Sequence, residues 1–202
     1  MKINYLFIWT LVLIISCSNN SKINNKSISP DFLNYVSSDS AFKKVKQINN
    51  LKYNIENTKI DQTVELINTE IANDTINISQ LNDDAIFMYA TYTHCDACIL
   101  QELNTAKKYY DINQLIVLFK AMSYRDVKVF KKVNKLGYKF YFMSQNSLLS
   151  DAVEKTPVPL FFTKDSNSII HNVFPVIGFY PELTEDYHEI MLSKLNKSLY
   201  TR

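Results

Sequence analysis

The run AIFMYAT, Ala85 to Thr91, constrains the fold of this 202-residue chain more than any other segment. It is continuously apolar and is bounded upstream by Asn82-Asp83-Asp84. A short run of this kind, with turn residues before it, reads as a buried central strand. Directly after it comes THCDAC, and then Ile99, Leu103, Ala106 and Tyr110 recur at helical spacing. That spacing gives a helix with one buried face. A strand therefore runs straight into a helix, with Cys95 and Cys98 at the joint.

Other segments supply the remaining elements. TINISQL, from Thr75, alternates and predicts a short strand, and LIVLF (Leu115 to Phe119) a second buried one. YRDVKVFKKVNKLG predicts a helix with Val129, Val133 and Leu136 in one stripe and Gly137 as its stop. YKFYFMS alternates as a third strand. Leu160 to Thr163 and Ser168 to Phe174 read as an antiparallel hairpin turned at Asp165-Ser166-Asn167. The closing segment predicts a helix capped by Thr184, with Tyr187, Met191, Leu195 and Leu199 buried. Strand, helix, strand, helix, strand, hairpin, helix is the order of an α/β domain over residues 75–202, with a mixed central sheet and helices on both faces. Residues 31–74 form an N-terminal extension whose structure the pattern does not fix.

The first residues, MKINYLFIWTLVLIISC, carry a basic Lys2, an uncharged apolar run from Tyr5 to Ile15, and then Ser16-Cys17. The run is short of the about 20 residues that span a bilayer. It has the length and flanks of a signal peptide over residues 1–16. Ile14-Ile15-Ser16-Cys17 resembles a bacterial lipobox, which implies lipid on the Cys17 sulfur and cleavage before it. Residues 17–30 are polar and aperiodic, a tether of roughly 20 Å by random-coil scaling. The expected location is the cell envelope, lipid-anchored to a membrane and facing the periplasm. A formal charge of +2, with no basic stripe standing out along the sequence, argues against a nucleic-acid partner.

With Cys17 assigned to lipid, the folded part holds one close pair, Cys95 and Cys98. At a helix N-terminus, unpaired N–H groups and the positive end of the dipole favour thiolate at Cys95. Cys98 lies on the same face one turn on, within reach of a disulfide. Such a pair can attack a partner disulfide with Cys95 and resolve the mixed disulfide with Cys98. His94 and Asp96 flank the nucleophile and tune it. Asp96 disfavours the thiolate and a protonated His94 favours it. The expected balance is a Cys95 pKa nearer the about 7 of a reducing dithiol than the about 3.5 of a strong oxidant, and hence a reducing role.

INISQLNDDAIFMYATYTHCDAC followed by TPVPLFFTKDSNSII resembles the thioredoxin superfamily over roughly residues 75–200. More narrowly, it is similar to membrane-anchored, thioredoxin-like thiol–disulfide oxidoreductases of the bacterial envelope, including the cytochrome-c-maturation type. The resemblance implies a cis Thr156-Pro157 peptide beside the dithiol, where the family binds the substrate backbone, with Pro159 the ordinary proline. The chain departs from the family in lacking a Trp before the first cysteine. It has Lys155 where a Gly commonly stands, and Gln101 and Glu102 where a proline and an acidic residue are usual. The implied function is reduction of disulfides in envelope protein clients, with no cofactor and with electrons resupplied by a membrane thiol reductase.

Other readings of the pair remain open at this level. CxxC is half of a zinc or copper site, for which His94, His171 and His188 are the other soft candidates. They are scattered and form no motif, so no metal ligands are assigned. A redox-inert lipoprotein scaffold also accommodates a CxxC. Peroxide reduction calls for a peroxidatic cysteine placed differently.

Overall fold

The computed structural model describes residues 39–71, 74–176 and 181–200. The expected signal peptide, Cys17 and the tether to residue 30 lie outside them. The chain divides into a unit Met1–Phe42 and a compact unit Lys43–Arg202. The elements are α1 (Asp39–Ile55), β1 (Glu65–Asn68), β2 (Thr75–Asn77) with a 3-10 turn (Ile78–Gln80), β3 (Ile86–Thr91) and α2 (Asp96–Ala106). They continue with β4 (Leu115–Lys120), α3 (Tyr124–Val133), β5 (Lys139–Met143), α4 (Asp151–Glu154), β6 (Leu160–Lys164), β7 (Ile170–Pro175) and α5 (Pro181–Tyr200). No helix among the described residues is long and apolar enough to cross a membrane.

Seven strands form one sheet in the order β2-β1-β5-β4-β3-β6-β7. β3 lies between β4, with which it runs parallel from Ile86↔Leu115 to Thr91↔Lys120, and β6, with which it is antiparallel. β5 is parallel to β4, β1 antiparallel to β5, and β6–β7 is an antiparallel hairpin. The sheet thus begins at Glu65, upstream of the boundary expected at residue 75, because β2 and β5 give β1 a pairing edge on each side.

Alternation along β3 divides the core into two layers. Ile86, Met88 and Ala90 face Ile99, Leu103 and Ala106 of α2, Val127 of α3, and Met191 and Leu195 of α5. Phe87 and Tyr89 face the opposite layer, with Ile55, Ile78 and Val153. Apolar side chains on both faces explain why every residue of β3 is buried. Phe87 is fully buried and stacks on Phe162 at 5.4 Å between ring centroids. Truncating it to alanine is expected to cost about 3–5 kcal/mol. The strand–helix–strand unit holding the dithiol, with the hairpin and closing helix, is an α/β, thioredoxin-like architecture.

Three local expectations are corrected. In α3 the buried face is Val127, with Phe130 partly buried; Val129 and Val133 are 50% and 71% exposed. The rings of Phe119 and Phe140 hold Phe130 against the sheet, and that contact sets the helix's rotation. α3 ends at Val133 with Asn134 as its C-cap, Lys135 just beyond takes the left-handed conformation (φ 51°), and Gly137 has no positive φ. Finally, α5 begins at Pro181, so Thr184 is a buried residue within the helix and not its cap. Proline suits a first helical position because its missing N–H has no partner there anyway.

Candidate active site

The joint after β3 is built by its own polar residues. The Thr91 and Thr93 hydroxyls lie 2.6 Å apart, the Thr93 N–H donates to Thr91 Oγ1, and the His94 N–H donates to the Thr91 carbonyl at 3.0 Å. This turn delivers Cys95 as the N-cap of α2, in an extended conformation (φ −64°, ψ 118°). Its carbonyl accepts the first helical hydrogen bond, from Ile99 N–H. Its Sγ accepts the Cys98 backbone N–H at 3.3 Å. A cysteine thus does the capping work that serine or aspartate usually does.

Both thiols are free; Cys95 is exposed and Cys98 half-buried. Hydrogen bonds from the Cys98 thiol and then the Cys98 N–H hold the Cys95 thiol below its ordinary pKa, and the Ala97 N–H adds to this. Slight desolvation and the Asp96 carboxylate oppose them, the carboxylate least. The Cys98 thiol is pushed up by its bond to Cys95, by burial and by the Cys95 charge, with a further push from Glu102. The two sulfurs therefore differ, with the exposed Cys95 thiol the more acidic and the half-buried Cys98 thiol the less acidic.

His94 is buried, which favours its neutral form. Burial lowers its pKa, against a raising contribution from the Thr156 carbonyl. Its Nδ1 accepts the Thr91 N–H at 3.2 Å, which leaves Nε2 to carry the proton and donate to the Thr156 carbonyl at 3.2 Å. The expected push of His94 on the Cys95 thiolate is conditional on a protonated ring, which burial disfavours; what the structure shows is a tie. The ring ties the dithiol turn to the segment before β6, and its charge is not among the influences on Cys95.

That bond also brings Thr156 to the site. Thr156 is buried, with its N–H on the Val153 carbonyl and its hydroxyl on the Ala152 carbonyl, and Pro157 beside it is exposed. No peptide bond among the described residues is cis, so the implied cis Thr156-Pro157 is corrected to trans. Trans is the lower-energy form of an X–Pro bond, and it coexists here with the Thr156 carbonyl directed at His94.

Several neighbours had no part in the site expected from the sequence. Glu102, one helical turn beyond Cys98, is buried, and its Oε2 has no hydrogen-bond partner. Burial raises its pKa; Thr184 is near enough to lower it but makes no regular hydrogen bond to it. Thr184 and His188, one turn apart on α5, are also buried. His188 Nδ1 lies 2.9 Å from the Tyr110 hydroxyl while its Nε2 is unpartnered. The Cys98–Glu102 and Thr184–His188 spacings of four were the available signal. Loops at the carboxyl ends of the parallel strands β3, β4 and β5 expose Tyr92 (51%), Met122 (65%) and Leu148 (50%), on the edge that also presents Cys95. Among the described residues no group of three or more His, Cys, Asp or Glu side chains is placed to hold a metal ion.

The structure is similar to a proposed electron transfer protein from Aquifex aeolicus (TM-score 0.49, 18% identity, covering 67% of this chain and 97% of that one). It is also similar to an uncharacterized thioredoxin-like protein from Porphyromonas gingivalis (0.47, 18%, 66% and 94%). A third is the mitochondrial 2-cys peroxiredoxin of Plasmodium falciparum (0.48, 12%, 73% and 97%). No protein-family model matches the chain, and no curated protein matches it. The chemistry accordingly rests on the dithiol's own geometry.

Proposed function

We propose that this protein is a thiol–disulfide oxidoreductase, anchored by lipid at Cys17 and reducing disulfides in proteins of the cell envelope. The observation that carries the reading is the exposed Cys95 sulfur at the N-cap of α2, accepting the Cys98 N–H at 3.3 Å. In the reaction the Cys95 thiolate attacks one sulfur of a client disulfide. The client S–S bond breaks, a Cys95–client bond forms, and the departing client thiolate takes a proton. Cys98 then loses its proton and attacks the Cys95 sulfur, releasing the second client thiol and leaving a Cys95–Cys98 disulfide. Two electrons and two protons have passed to the client. No cofactor takes part. A membrane thiol reductase returns the pair to the dithiol.

The ordering of the two sulfurs follows from their surroundings, since the lowered pKa and the exposure both belong to Cys95. Exposed Tyr92, Met122 and Leu148 give a polypeptide client an apolar rim beside the nucleophile. Beside Thr156, whose N–H and carbonyl are held within the chain, exposed Pro157 is the part of the Thr156-Pro157 segment that a client reaches. Lipidation is supported by Ile14-Ile15-Ser16-Cys17.

Trapping tests the reading. The Cys98→Ser protein, expressed in an envelope, should accumulate clients as mixed disulfides on Cys95 that dithiothreitol releases. Absence of dithiothreitol-sensitive adducts in Cys98→Ser, with the protein present and folded, contradicts it.

A further inference from the structure

The exposed face of α3 has no part in the chemistry above. Arg125, Lys128 and Lys132 recur at helical spacing, Lys135 follows, and all four are exposed. Among the described residues no carboxylate forms an ion pair with any of them. Lys128 instead lies over the Tyr124 ring, 5.4 Å from its centroid. Lys131 turns inward to Glu70 and the Phe140 ring. The helix's one acidic residue, Asp126, sits in its first turn. These cations border an open groove of about 580 Å³. Val129, which lines that groove, and Val133 on the adjoining face beside Asp126 are exposed, since the sheet takes Val127 and Phe130. The chain as a whole is nearly balanced, with 22 Lys and Arg against 20 Asp and Glu, so this concentration is local.

From this face we infer that α3 docks on an anionic lipid surface, its cations on lipid phosphates and its two exposed valines in the headgroup layer. Cations drawn to negative lipid, next to aliphatic side chains with nothing to cover them, are the two ingredients of interfacial helix binding. A helix of ten residues is about 15 Å long and lies flat on such a surface. An acidic protein would match the charge and would have no need of the valines on the exposed side. The inference is independent of the dithiol.

Lysine footprinting of the full chain in vesicles tests it. The protein is reconstituted in phosphatidylcholine, with or without phosphatidylglycerol, acetylated briefly, and read by peptide mass spectrometry. Lys128, Lys132 and Lys135 should be acetylated several-fold less on the anionic vesicles, while Lys107 at the end of α2 is labelled equally on both. The protection should vanish at about 1 M salt, where the screening length falls to about 3 Å. It should also vanish at Lys128 and Lys132 in Arg125→Glu/Lys135→Glu, whose exposed changes leave the core untouched. Equal labelling on both vesicle types overturns the inference, as does protection that survives the charge reversal. Protection by poly-L-glutamate on neutral vesicles, with none from phosphatidylglycerol, overturns it in favour of an acidic protein partner.

Discussion

His94 Nε2 lies 3.2 Å from the Thr156 carbonyl oxygen, joining the residue before the nucleophile to the segment that leads into β6. The nitrogen donates, because Nδ1 is occupied by the Thr91 N–H. A neutral brace and a nearby cation make opposite predictions. His94→Leu should lower stability by about 1–3 kcal/mol, since it strands a buried carbonyl, yet leave the pH midpoint of Cys95 alkylation in place. Urea unfolding and iodoacetamide kinetics check the two halves. A midpoint that climbs in His94→Leu would show that the ring acts by charge.

The low pKa of Cys95 comes first from Cys98, and Asp96 works against it. Cys98→Ala should therefore move the alkylation midpoint upward and slow Cys95 alkylation at neutral pH several-fold. Asp96→Asn should move it slightly downward, because Asp96 is exposed and its field is screened. Thiolate absorbance against pH measures both.

Glu102 carries an unpartnered oxygen in the core beneath the dithiol. Burial raises its folded pKa, so the folded state holds the proton longer than the unfolded one. Stability is full below the unfolded carboxyl pKa, about 4.3, and declines as pH rises through the folded value. Glu102→Gln should remove that decline and raise Tm at pH 7 by about 2–4 °C for each kcal/mol recovered. It should also lower the Cys98 pKa, which Glu102 raises. Calorimetry across pH checks the first effect and Cys98 alkylation in a Cys95→Ser background the second.

His188 is fully buried, and desolvation pushes its pKa down to about 4. A depressed histidine contributes stability above its unfolded pKa of about 6.5, and that contribution is lost as pH falls toward the folded value. At its full extent the loss is about 3 kcal/mol. His188→Phe should flatten this part of the curve. The measurement is the difference in urea stability between wild type and variant at pH 7 and pH 4.5.

The sequence marks the dithiol joint clearly because two independent patterns meet there. An apolar run with no interruption forces β3 inside, and the Ile99–Leu103–Ala106 spacing forces α2 onto it. The hairpin is equally plain, since Asp165 closes its turn by accepting from the Asn167 and Ile169 N–H groups. The face of α3 is not fixed in the same way. Val127 with Phe130, and Val129 with Val133, are competing stripes in one short helix, and contacts of Phe130 with Phe119 and Phe140 decide between them. Misreading that face also hid the basic surface, whose members are interleaved with valines along the chain. β1 is too short to announce itself and exists because β2 and β5 pair with it. Glu102 and His188 look like ordinary exposed helix residues until α2 and α5 are packed on the same side of the sheet.

Redox titration coupled to turnover reaches the two sulfurs directly. The protein is equilibrated in dithiothreitol buffers of graded potential, quenched in acid, and its Cys95–Cys98 peptide weighed, while insulin reduction is followed in parallel. The account predicts a reversible two-electron transition to a disulfide between these residues, with turnover abolished in Cys95→Ser. A pair that stays as thiols at every potential, or turnover that persists in Cys95→Ser, would contradict it.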